Sequence, residues 1–269
     1  MDVAADGIDA RHGPYGMTRR VAALWTRTLL LVAAVLTLEL ACHTGIIDQM
    51  VVLPPSQMVA AMLAVLASGD ATEPMVRTFS TVGIAFVVSV AAGIGIGAVA
   101  HALPRLRRAI EPVLASYYSV PTFVFYPLLV ALLGLSMAPL VVLGVLSATP
   151  AMVIGTLAGL DSVRPVLRRV ARAQRLGAVD TLVSVVLPAA MPGLFGGIKL
   201  ALSYSLIGVI AGEFILSGSG LGFAISFAYQ SFDNAVMYGL ILFVLLVAVT
   251  ANSLLYLWEG RLERRRRAG

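Results

Sequence analysis

Apolar residues along this chain gather into six long runs separated by intervals of unequal length. The runs cover residues 21–41, 78–100, 113–134, 138–159, 192–216 and 235–258. A helix needs roughly 20 mostly apolar residues to cross about 30 Å of hydrocarbon, and each run approaches that length. The pattern therefore predicts an all-α protein with six membrane helices. The break at 160–191 has charge and helical spacing but no span of its own. The first run exceeds the 7–15 residues, roughly, of a signal-peptide apolar region, and Leu38-Glu39-Leu40-Ala41-Cys42 offers no small-residue cleavage site. Leu40-Ala41-Cys42 faintly suggests a lipoprotein site, but Glu39 speaks against it, and a retained first helix is expected.

Composition excludes the alternatives. Hydrophobic residues make up 59% of the 269 and charged residues 12%, about half the charge of an ordinary soluble domain. Too few charges remain to cover a water-facing globule, and disordered chains are poor in apolar residues. Glycine shows no triplet repeat, and a single cysteine, Cys42, cannot form an internal disulfide.

Positive charge then orients the spans. Arg11, Arg19, Arg20 and Arg27 precede or enter the first run. Arg105, Arg107 and Arg108 follow the second, Arg164, Arg168, Arg169, Arg172 and Arg175 follow the fourth, and Arg261 and Arg264 to Arg267 follow the sixth. The other loops hold Asp48, Asp70, Glu73 and Asp233, with Arg77 at the start of the second run. Loops rich in Lys and Arg stay in the cytoplasm, so both termini and the 160–191 segment are expected there. The net charge of +5 thus reports orientation in a lipid bilayer, and no nucleic-acid partner is expected.

Reactive groups are scarce. His12, His43 and His101 share no helical face with a carboxylate or cysteine on this reading, and no metal set or nucleophile–base pair is visible. Ser217-Gly218-Ser219-Gly220 reads as a small-residue loop. Gly93, Gly95 and Gly97 lie in an apolar helix, and the G-x-x-x-G of Gly93 and Gly97 suits close helix packing in lipid. No G-x-x-x-x-G-K-[ST] occurs, so no nucleotide site of that type is expected. Apart from Arg27 where the chain enters the first run, charged residues inside the spans are few: Glu39, Lys199 and Glu213. Lys199 and Glu213 stand fourteen residues apart, about 21 Å along a helix, too far to pair. That poverty argues against a gradient-driven carrier. The third run carries Tyr117-Tyr118-Ser119-Val120-Pro121 and Tyr126-Pro127. Two prolines predict a kink within one membrane helix, open to two readings, a pathway-lining bend or a packing kink.

The basic segment begins Asp161-Ser162-Val163-Arg164-Pro165, where Pro165 suits a first helical turn. Val163, Val166, Leu167, Val170, Ala173, Gln174 and Gly177 form one mainly apolar stripe beside an Arg face. Gly177 is expected to end or bend that helix, with a second short helix over 181–186. Ala173-Gln174-Arg175-Leu176-Gly177-Ala178, followed by Val185-Val186-Leu187-Pro188-Ala189-Ala190-Met191-Pro192, resembles the "EAA" loop of binding-protein-dependent ABC importer permeases. Leu53-Pro54-Pro55-Ser56, Val120-Pro121, the 208–214 segment ending Gly212-Glu213-Phe214, and Gly220-Leu221-Gly222 extend the resemblance to the nitrate/sulfonate/taurine branch. Ala171 stands where that motif has Glu, and Gly177 to Pro188 is two residues shorter than the family's spacing.

The resemblance implies a type I ABC importer permease fold. Its divisions would be a cytoplasmic tail (1–20), a first membrane helix (21–41), a permease domain (75–258) containing a coupling loop (160–191), and a basic cytoplasmic tail (259–269). Ala173, Leu176, Gly177, Ala178, Leu187 and Pro188 would then couple to an ATPase subunit, while Tyr117, Tyr118, Pro121, Tyr126 and Glu213 are candidates to line the pathway. It also implies a multi-pass inner-membrane protein working as a homodimer with ABC ATPase subunits and an external solute-binding protein. ATP and magnesium would sit on the partner ATPase, and this chain would be a transport subunit with no cofactor, not an enzyme. The solute would be small, such as a sulfonate or nitrate. A gradient-driven carrier or channel without ATPases is the alternative.

Overall fold

The computed structural model describes residues 14–49 and 51–268, and residues 1–13 of the expected N-terminal tail lie outside them. Every regular element among the described residues is helical. In chain order these are α1 (Pro14–His43), α2 (Pro55–Ser68), α3 (Thr72–Ala102), α4 (Pro104–Tyr117), α5 (Tyr126–Leu133), α6 (Met137–Asp161), α7 (Pro165–Ala173), α8 (Ala178–Thr181), α9 (Leu187–Leu216), α10 (Leu221–Gln230) and α11 (Asn234–Ala268). A 3₁₀ turn over Thr122–Phe125 precedes α5, and a π turn over Leu182–Val186 joins α8 to α9.

Among the described residues four helical stretches are long and apolar enough to cross a membrane: Thr72–Ala102, Met137–Asp161, Ala178–Ile215 and Asn234–Arg261. The expected third span makes a fifth only as a broken one, because α4 and the Thr122–Leu133 segment meet at 95°. This corrects the expectation of one kinked helix. Neither proline lies mid-helix: Pro121 sits extended just before the 3₁₀ turn, and Pro127 stands in the first turn of α5. Proline lacks the N–H that a helix interior needs but a first turn does not, so two prolines six residues apart start new elements. The expected first span falls within α1, whose shorter apolar stretch is Thr28–His43.

α6 is the centre, with α3 and α9 packed along it. Two thirds (67%) of its most apolar stretch is buried within the chain, against 6% for α11 at the periphery. Small residues allow this closeness. A Cβ on Gly155 would overlap the Cα of Gly197, and one on Gly159 would reach within 2.6 Å of the Ala190 carbonyl oxygen. On α3, a Cβ at Gly93 would overlap Met152 and one at Gly97 would stand 2.6 Å from the Cβ of Thr156, whereas Gly95 between them meets nothing within 4 Å. The expected G-x-x-x-G packing is thus present, turned towards α6. In lipid no hydrophobic force drives helices together, so dispersion at such close seams carries association.

Two short helices outside the six apolar runs, α2 and α10, lie at one end of the bundle. Glu39 near the end of α1 accepts the Ser56 N–H at 3.0 Å and so caps α2, whose far end closes on left-handed Gly69 (φ 81°). α2 packs on α11, and the Tyr238 hydroxyl donates to the Val51 carbonyl at 2.7 Å.

Candidate functional site

The opposite end of the bundle carries α7. The chain leaves α6 through Val163, which is buried in a cluster with Met152, Val186 and Ala190. Arg164 is held extended (ψ 132°) ahead of Pro165, as the pre-proline restriction requires. Ala171 is fully buried, and α7 packs on the π turn. Ala171 therefore has no exposed side chain to offer at the motif's Glu position. Val166, Leu167 and Val170 are 60%, 38% and 48% exposed, a contiguous apolar stripe left open, flanked by exposed Arg164, Arg169 and Arg172.

The helix stop differs from expectation. α7 ends at Ala173, and the left-handed residue is Arg175 (φ 56°). Leu176 N–H donates to the Ala171 carbonyl (3.1 Å) and Arg175 N–H to that of Arg172 (3.0 Å), a Schellman closure with arginine where glycine is usual. Gly177 is extended (φ −62°, ψ 167°) and caps α8, so it begins the next helix. Nor is 181–186 a separate helix, since 178–215 run on as one. Pro188 explains the π turn within it. Leu187 N–H reaches back to Leu182, and the widened turn accommodates a residue with no N–H of its own. Ala173, Leu176, Gly177 and Ala178 thus form the α7–α8 turn, while Leu187 and Pro188 open α9.

Beside α7 stands a charged cluster the sequence did not reveal. Arg107 of α4 grips Asp161 of α6 with two hydrogen bonds (2.9 and 2.8 Å) and donates to Glu111 at 2.7 Å. His101 of α3 places Nδ1 3.2 Å from Asp161 and Nε2 3.3 Å from Arg168 of α7. Asp161 reaches His101 through the fold rather than along a helix. The reading that no histidine shares a face with a carboxylate is also corrected at His43, one helical turn from Glu39 and 3.0 Å from it.

The pathway candidates separate. Tyr117 donates to the Leu146 carbonyl at 2.9 Å, and Tyr118, partly exposed, stacks on Tyr204 at 4.7 Å. With exposed Pro121 they gather at the break in the third span. Tyr126 is instead buried with Leu140 and Leu143. Glu213 is wholly buried. It accepts from the Thr78 hydroxyl (2.9 and 2.8 Å) and the Gly222 N–H (2.9 Å), while Thr78 Oγ1 accepts from the Leu221 N–H at 2.8 Å. That clip fastens α3, α9 and the start of α10. Next to it an open apolar groove of about 550 Å³ is lined by Phe123, Ile207, Ile210, Phe214 and Ile241. Lys199 pairs with Glu259 of α11 at 2.6 Å. Among the described residues no three His, Cys, Asp or Glu stand together as a metal set.

Residues 89–268 match the profile of a family described as binding-protein-dependent transport system inner membrane component. The nitrate import permease protein NrtB of Leptolyngbya laminosa is 28% identical over 64% of this chain and 62% of its own length, so the match spans under two thirds of that relative. The putative aliphatic sulfonates transport permease protein SsuC of Bacillus subtilis is 27% identical over 88% of this chain and 87% of its own. A solved structure of the MetNI methionine ABC transporter, inward facing, superposes with a TM-score of 0.54 at 21% identity, covering 77% of this chain and 97% of that one. The last shows the shared fold.

Proposed function

We infer that this chain, which belongs to the family of binding-protein-dependent transport system inner membrane components, is the permease subunit of an ATP-driven importer of a small anion. The family match over 89–268 carries the reading. NrtB and SsuC support nitrate or a sulfonate as the solute class. The chain is a multi-pass inner-membrane transport subunit, and nothing favours a gradient-driven carrier over it.

Within that reading α7 is the docking helix. Val166, Leu167 and Val170 would enter a groove of an ABC ATPase subunit, with the flanking arginines at its rim and the turn from Ala173 to Ala178 beside it. ATP and magnesium are bound on that partner, and hydrolysis there moves α7. Two copies of the chain would enclose the pathway, with Tyr117, Tyr118 and Pro121 along it, and an external solute-binding protein would deliver solute at the α2–α10 end. An apolar stripe this open on so small a helix needs a covering surface. Val166→Asp with Val170→Asp is expected to abolish co-purification of the ATPase subunits while membrane levels stay normal, because both side chains already lie outside the packed core. Retention of the ATPases by that double variant would overturn the assignment of α7.

A further inference from the structure

The cluster beside α7 has a consequence that the docking role alone does not supply. The Arg168 guanidinium only donates hydrogen bonds, and its Nη2 lies 3.3 Å from His101 Nε2. That contact requires Nε2 to carry the lone pair. The proton of the neutral ring is then on Nδ1, which faces Asp161 Oδ1 at 3.2 Å. The Nδ1 contact is too poorly aligned to count as a hydrogen bond, so Asp161 orients the ring chiefly by charge. Asp161 is itself held by both guanidinium nitrogens of Arg107, which also grips Glu111. Arg168 Nε is buried without a partner, which leaves Nη2 as the contact that ties this guanidinium to α3.

Charge balance makes the contact conditional on the state of His101. Asp161 of α6 and Arg168 of α7 face the ring, and Arg107 of α4, itself paired with Glu111, stands behind Asp161. Two cations and two carboxylates balance while the imidazole is neutral. A proton on Nε2 would set donor against donor and a new cation against Arg168, while drawing the ring towards Asp161.

We propose that His101 is a positioning residue for α7: its neutral ring receives Arg168 and fixes α7 to the end of α3, and its protonation releases α7. The inference rests on α7 being the docking helix and adds to it a control by the acidity of the compartment that α7 faces.

The test uses the full-length chain in nanodiscs with spin labels at Arg105 of α4 and Arg172 of α7, both exposed. The wild type should give one narrow distance at about pH 8. The ratio of attached to released α7 should fall about two- to five-fold by about pH 5.5, seen as a broadened distribution, the size expected from breaking one half-exposed contact. His101→Gln keeps an acceptor without a titrating ring, so it should stay narrow at both pH values. His101→Lys should be broad at both, as should Arg168→Gln, which covers the case in which the lysine variant does not fold. A distribution unmoved by pH in the wild type, or unchanged in Arg168→Gln, overturns the proposal. These readings need no ATPase, so they can fail while the Val166 and Val170 result stands, and the reverse.

Discussion

Glu213 shows how one buried carboxylate can organise the end of a membrane bundle. It lies at the last turn of α9, where a residue exposed to lipid would be costly, and accepts from Thr78 and Gly222 instead. The neighbouring glycine is required. Gly220 adopts φ 100° and ψ 174°, and a Cβ there would overlap the Glu213 carboxyl. Glu213→Ala strands the Thr78 hydroxyl and the Gly222 N–H, and leaving buried groups unpaired costs about 1–3 kcal/mol. The expected outcome is a lower unfolding temperature in detergent, with faster proteolysis near α10. Glu213→Gln, which keeps one acceptor oxygen, should lose less. Equal losses for the two variants would show that volume, not hydrogen bonding, sets the effect.

At the scale of elements, the glycine seam between α6 and α9 does what a larger apolar core does in water. Gly155 faces Gly197 and Gly159 faces Gly193, so the two backbones touch with no side chains between. Gly159→Val is expected to lower the unfolding temperature markedly, since overpacking costs about 1–3 kcal/mol even where side chains alone must give way. Gly95→Ala is the contrast. It lies on α3 with nothing within 4 Å, and replacing a mid-helix glycine by alanine gains roughly 0.5–1 kcal/mol. Equal destabilisation by both changes would rule out the seam as the source of stability.

Across the whole molecule, the two ends differ in charge. The loops after α3 and α6 meet through Arg107, Asp161, His101 and Arg168, so the two arginine-rich internal segments share one end. Lys199 and Glu259 join them there. The α2–α3 turn around Asp70 belongs to the other end, with Glu213 and α10. The positive-inside bias then predicts that tags at Met1 and Gly269 report cytoplasm and a tag beside Asp70 reports the outside. An external signal from either terminus would contradict this orientation.

Spans and family were legible from residue order because they rest on local quantities. A run of apolar residues must shed water wherever it stands, and arginine resists crossing lipid whatever its neighbours. The small-residue spacing at Gly93 and Gly97 likewise marked a packing face. The sequence did not show the break at Pro121, where a fifth span becomes two helices at 95°, because a proline kink and a proline start look alike in one dimension. It placed the helix stop at Gly177, the residue for which a left-handed turn is easiest, whereas the fold set the turn at Arg175 by burying Ala171 one turn earlier. Most of all, it could not pair His101 with Asp161 and Arg168, or Glu213 with Thr78. Such pairs join residues far apart in the chain, and only tertiary packing decides which polar groups are left facing one another once the apolar surfaces have closed.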